Sequence, residues 1–302
     1  MEEYHDVENR KKDYDEIQRE SFRAELGIRT IGLVYHDHSL DEKSFENVFI
    51  LKDNIEYRLF SAAHQYLLFL RELGESEKYL QHILHENQNV IMSSDNVYFN
   101  KVETELSSIF DSIVFHLSSV FDYLSHAICY MYFQNKQDTL YWTKLSKKVR
   151  GDFKDKYEMS KVIDDVDRRF VGKLYDYRSR LLHNKRDKHI FDGYVKTNFK
   201  VDLKICCSNI CLKHFSAITN EIENKKITLT FLSSQLIRQS FIEIKKILDS
   251  IKLDLEKDSK FNNNLIHGKG NRGMFVAINP ETNTAEPSSN RLWKEYKSKG
   301  IS

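Results

Sequence analysis

VETELSSIFDSIVFHLSSVFDYLSHAI, residues 102–128, decides the fold class. Leu106, Ile109, Phe110, Ile113, Leu117, Val120, Phe121, Leu124 and Ile128 recur three and four residues apart. With 3.6 residues to the turn, that spacing paints one apolar stripe along a long α-helix, which has to be buried against other helices. A second stripe of Val162, Val166, Phe170, Leu174, Tyr177 and Leu181 predicts another long helix over 161–189. Between the two, residues 135–160 read as a polar connector. These two helices set the expected architecture, an all-α helical bundle built around them.

Working outward, residues 4–25 read as a charged helix ended by Gly27, with 28–38 a short strand or irregular crossing. Apolar spacing predicts a helix from about Phe45 to Leu73, stopped near Gly74, and a shorter one from Glu75 to about Val90. The alternation in GYVKTNFKVDLKIC (193–206) predicts a small β-hairpin insertion. Leu232, Leu236, Phe241, Ile242, Ile247, Leu248 and Ile251 predict a last long helix over 229–257. The remainder is turn-rich, with a possible strand at Phe275–Ile278. The expected division is therefore an acidic N-terminal helix and crossing over 1–40, a helical domain over 41–258, and a flexible basic tail over 259–302.

Composition agrees with helices. The chain has 302 residues with only ten Gly and two Pro, too few for the tight turns a sheet-rich fold needs. A 40% hydrophobic content excludes global disorder. No apolar run is long enough to span a bilayer, and the charged start MEEYHDVENRKKDYDE lacks a signal peptide's apolar core. Cys206, Cys207 and Cys211 crowd together while Cys129 sits in the first stripe helix, which is no secreted disulfide framework. The expected location is the cytoplasm, with no membrane contact. The net charge of +1 hides an asymmetry: Lys144 to His189 holds fifteen Lys and Arg against eight Asp and Glu. Such a segment fits an anionic ligand such as nucleic acid, or simply a solvated helix face.

Inside that segment lies LYDYRSRLLHNK, with Arg178 and His183 separated by four residues. Similar spacings occur at Arg58–His64 and Arg29–His36, so spacing alone carries little. Only Arg178–His183 falls near the end of a long helix within the basic stretch. The plain alternative is a surface arginine and a last-turn histidine favoured by the helix dipole.

The stripe helix carrying SSVFDYLSHAI, followed by a helix carrying YRSRLLHN, resembles the HEPN superfamily. Its members are helical bundles defined by Arg, four to six residues, then His. The resemblance covers about residues 100–190 well. It implies a metal-independent endoribonuclease, dimeric, needing no cofactor, in a defence, toxin or stress role, with RNA as partner and room for a neutralising or sensor protein. Arg178 and His183 would be the motif pair, and Asp122 the polar residue on the earlier helix that accompanies it. Ser179, Arg180, Asn184 and Lys185 flank the pair as substrate contacts. Ser179 departs from the Asn, Asp or His usual after the arginine. Lys185 stands where a subfamily that accepts nucleotide modification has tyrosine. A non-catalytic RNA-binding or protein-interaction module of the same fold is the alternative.

The residue types suit that chemistry. Cleavage through the RNA's own 2′-OH needs proton transfer near neutrality, which histidine performs. It also needs a permanent positive fork against the phosphorane oxygens, which arginine supplies. Five residues apart on a straight helix, the two side chains point about 140° from one another, so one copy forms no compact site unless the helix ends or bends near Leu182. A two-fold dimer would place two such pairs around one cleft. Tyr157, Tyr175 and Trp142 are candidates for stacking on bases. The spacing of Cys206, Cys207, Cys211 and His214 lacks the paired knuckles of a zinc site, so no metal is expected. Lys269 and Arg272 in GKGNRG are possible anion contacts.

Overall fold

A computed structural model describes residues 4–38, 42–86, 97–133, 140–183, 187–195, 200–219, 222, 225–257, 276–278, 283 and 285–298. The chain is predominantly helical with small sheet elements, as the apolar stripes imply. No helix among the described residues is long and apolar enough to cross a membrane. Lys269 and Arg272, with most of the tail, fall outside the described residues.

The elements are β1 (Tyr4–His5), α1 (Arg10–His38), α2 (Glu42–Glu86), α3 (Val97–Phe133), α4 (Trp142–Arg150) and α5 (Glu158–Val166). A π turn at Asp167–Val171 leads into α6 (Gly172–His183), and the β2 (Ile190–Val195) and β3 (Val201–Cys206) hairpin follows. Then come α7 (Asn209–His214), α8 (Ser216–Thr219), β4 (Lys226–Ile227), α9 (Leu229–Lys257), β5 (Val276–Ile278), β6 (Ala285–Pro287) and α10 (Ser288–Ser298).

Two compact units divide these elements. The first comprises Met1–Gln18, Phe60–Ser118 and Lys173–Arg238. Leu106, Phe110, Ile113 and Leu117 of α3, Leu174 and Tyr177 of α6, and Leu232 and Leu236 of α9 are buried in it. Its N-terminal segment is fastened by charge-assisted bonds, which are stronger than neutral ones. Arg10 forks onto Glu77 at 2.8 and 3.0 Å. Asp13 accepts from Tyr66 at 2.6 Å, Ser234 at 2.9 Å and Arg238 at 3.0 Å. β1 pairs in parallel with β4, and β2 pairs antiparallel with β3 from Ile190↔Cys206 to Val195↔Val201, the predicted hairpin.

The second unit comprises Arg19–Leu59, Ser119–Gly172 and Gln239–Ser302. Val120, Phe121, Leu124 and Ile128 of α3 are buried here, with Trp142, Leu145 and Val149 of α4 and Ile247, Leu248 and Ile251 of α9. The N-terminus of α5 has no cap from its own flank, since Tyr157 makes no side-chain cap bond. Asp254 of α9 supplies one instead, accepting Glu158 N–H at 2.8 Å, Met159 N–H at 3.0 Å and Tyr132 O–H at 2.8 Å.

Several boundaries differ from the sequence reading, each for a physical reason. α1 runs on through Gly27 to His38, so 28–38 is helix rather than a crossing. Ile28, Ile31, Val34 and Tyr35 continue its buried stripe, which outweighs the roughly 1 kcal/mol an interior glycine costs. The glycine has its own use: a Cβ at Gly27 would stand 2.8 Å from the Tyr296 ring. α2 likewise continues through Gly74 as one 45-residue helix. The polar connector contains α4, whose Trp142, Leu145 and Val149 form a short buried stripe. The second stripe helix is interrupted by the π turn, and it ends at His183 rather than 189. The tail holds the helix α10, which the sequence reading leaves out.

Candidate functional site

Arg178 and His183 both lie on α6, in the first unit. The first residue of α6 is a glycine, where the π turn brings backbone too close for a side chain. A Cβ there would sit 2.6 Å from the Asp167 carbonyl oxygen. π turns of this kind often mark functional positions in helices. Leu174 and Tyr177 face the core of the unit, which turns Ser179 and His183 outward to solvent and leaves Arg178 and Arg180 half-buried. The Arg178 guanidinium lies 5.7 Å from the Tyr175 ring centre. Tyr175 is itself tethered, its hydroxyl donating to the Ser118 carbonyl at 2.9 Å.

Because α6 is regular helix from 172 to 183, Arg178 and His183 of one chain diverge by about 140° with a rise of about 7.5 Å. One copy does not converge them. Asn184 and Lys185 fall outside the described residues. Asp122 belongs to the second unit, where its Oδ1 accepts the Trp142 backbone N–H at 3.2 Å and so caps the start of α4. Trp142, a stacking candidate by sequence, is instead fully buried and donates Nε1–H to Asp167 Oδ1 at 2.7 Å. Tyr157 is half-buried, with its ring 4.9 Å from that of Tyr132.

Just beyond α6 the first unit holds a polar cluster that no local pattern announced. Asp187 and His189 are buried, and so are Tyr177, Ser208, Cys207 and Cys211. Asp187 Oδ2 accepts from Ser208 Oγ at 2.7 Å and from the Tyr177 hydroxyl at 3.1 Å. Ser208 N–H donates to His189 Nδ1 at 3.2 Å, and Ser208 Oγ accepts the Cys211 N–H at 3.0 Å. Ser208 is thus the N-cap of α7. Burial first, then the neighbouring Cys211 and Asp187, pushes the Tyr177 hydroxyl far above its ordinary range. Burial also raises the Cys207 thiol.

Serine, histidine and aspartate in one cluster invite comparison with a nucleophile triad, but the wiring is different. The serine hydroxyl donates to the carboxylate, and the imidazole nitrogen facing it accepts from the backbone, so the hydroxyl-to-imidazole bond of a triad is not made. The cluster can hold the chain leaving α6 in place, and it is built for that. All four cysteines are free thiols and buried. No group of three or more His, Cys, Asp or Glu among the described residues is arranged to hold a metal ion.

Comparison with known proteins adds no relative: no family model, curated protein or solved structure matches this chain.

Proposed function

We propose that the chain is a metal-independent endoribonuclease of the HEPN type, acting in the cytoplasm, with Arg178 and His183 contributed by two copies around one cleft. The supporting observation is their placement on one regular helix, Arg178 half-buried against Tyr175 and His183 exposed in the final turn. Helix geometry separates the two within a copy, so a second copy completes the set. In the cleft, one His183 takes the proton from the 2′-OH, whose oxygen attacks the adjacent phosphorus. The other His183 gives a proton to the departing 5′-oxygen, leaving a 2′,3′-cyclic phosphate and a 5′-hydroxyl. The arginine forks hold the non-bridging oxygens as their charge builds.

A second reading, a binding module without cleavage, is favoured by one observation: the Asp122 carboxylate is engaged in capping α4. Purified protein incubated with mixed RNA in EDTA separates the two. The first reading expects cleavage that falls by a factor on the order of 10²–10⁴ in Arg178→Ala and His183→Ala. Binding without cleavage selects the second reading. Cleavage by a strict monomer, measured by light scattering, refutes the shared cleft.

A further inference from the structure

The second unit carries a surface that the Arg178–His183 pair does not explain. On α4, Trp142, Leu145, Ser146 and Val149 face the core. Lys144, Lys147 and Lys148 therefore share the outer face at spacings of three and four. The loop after α4 extends this face. Gly151 N–H bonds back to the carbonyls of Lys147 and Lys148 at 3.2 and 3.1 Å. Phe153 N–H reaches Lys148 O at 3.1 Å, and Lys156 N–H reaches Phe153 O at 3.1 Å. Asp155 closes the last turn in the left-handed region at φ 60°, which aspartate tolerates. These bonds fix the loop and set Lys154 and Lys156 on it as exposed side chains.

Charge pairing in this neighbourhood is lopsided. Arg150 is matched by Asp164 and Asp167, Arg168 by Asp164, and Arg169 by Asp165. No carboxylate among the described residues pairs with Lys144, Lys147, Lys148, Lys154 or Lys156. Aromatic rings lie among them instead. Phe153 stacks on Phe133 at 4.6 Å, and Lys148 lies 5.8 and 5.9 Å from those two ring centres. Lys156 lies 5.7 Å from Phe153 and 5.2 Å from Tyr157. Tyr141, at the start of α4, is 57% exposed.

We infer that the outer face of α4 and the loop 151–157 bind the backbone of a single-stranded nucleic acid. Unmatched lysines on an ordered element attract phosphates, and the exposed Tyr141 ring beside them offers a base a stacking surface without reading sequence. An anionic membrane fits less well, since Tyr141 is the one large apolar side chain that this face exposes and surface helices insert a whole apolar face. The inference stands on residues other than Arg178 and His183 and is independent of any cleavage.

A fluorescein-labelled oligodeoxythymidylate is the probe, because without a 2′-OH it cannot be cut by the chemistry proposed above. Its anisotropy is titrated with the full chain across a range of salt. The expected slope of log affinity against log salt falls by about 2 in Lys144→Glu/Lys147→Glu/Lys154→Glu, at about 0.7 per lost contact. Affinity at moderate salt falls on the order of tenfold or more. The triple arginine variant at these positions retains binding, which separates charge from misfolding. Lys11→Glu/Lys12→Glu/Lys213→Glu, which makes the same change in net charge on exposed lysines elsewhere, leaves affinity within about twofold. Equal losses in both glutamate triples overturn the inference, as does a wild-type chain that binds neither this probe nor oligouridylate. Lysine-dependent sedimentation with phosphatidylserine vesicles, without oligonucleotide binding, overturns it in favour of a membrane.

Discussion

The cluster around Asp187 and the lysine face of α4 treat polar groups in opposite ways. In the first, Tyr177, Ser208 and Asp187 satisfy one another inside the protein, and the residues are buried. In the second, cations stand in solvent beside aromatic rings, with no described carboxylate paired to them. Removing a buried donor or acceptor leaves its partner desolvated and unbonded, whereas an exposed lysine keeps its water. Matched polar groups therefore fix the fold, and unmatched ones leave attraction to spare for something outside it.

The largest test of that contrast is Asp187→Ala. It strands two buried hydroxyls and should lower unfolding free energy by about 3 kcal/mol, read from urea denaturation. A loss below about 0.5 kcal/mol, the range of ordinary surface substitutions, would erase the distinction. Trp142→Phe comes next. It keeps a ring in the core but deletes the bond to Asp167, for an expected cost of about 1–2 kcal/mol by the same measurement.

A third effect concerns pH. Burial holds His126 and His214 below the ordinary histidine value of 6.5, with Asp122 and Asp176 partly opposing it. A lowered folded value means that the unfolded chain takes up protons first as pH falls. Their contribution to stability is whole above about pH 6.5 and is lost as pH falls through the folded values. Melting temperature should drop between pH 7 and 5.5, with a shallower slope in His126→Gln and in His214→Gln. An unchanged slope in both would remove these histidines from the account. The smallest expected effect completes the comparison: Lys144→Ala and Lys147→Ala change stability by less than about 0.5 kcal/mol. A larger loss would mean that the lysine face is part of the fold after all.

Legibility in the sequence follows the range of the interaction. α9 emerges over Leu229–Lys257 as the apolar spacing predicts, and Thr228 caps it by accepting the Phe231 N–H at 3.1 Å. The β2–β3 hairpin was readable from its alternation. Gly27 and Gly74 misled because a glycine's local preference says nothing of the buried stripe that carries the helix past it. α4 was hidden among lysines, although Trp142, Leu145 and Val149 already held its spacing. The Asp187–Ser208 bond spans 21 residues across a hairpin, and no local pattern encodes such a partner. The helical placement of Arg178 and His183 was legible from spacing alone. The engagement of Asp122 with Trp142 was not, because it joins residues 20 apart on different helices.

The cap that Asp254 places on α5 also bears on the order of folding. The first turn of α5 receives its acceptor from a residue 96 positions downstream of Glu158. During synthesis, α5 leaves the ribosome with its leading N–H groups bonded only to water, so its first turn lacks the acceptors that hold it in the folded protein. Its full stability arrives only when α9 has been made and docked. A chain truncated before residue 254 should therefore show amide exchange at Glu158 and Met159 far faster than the full chain.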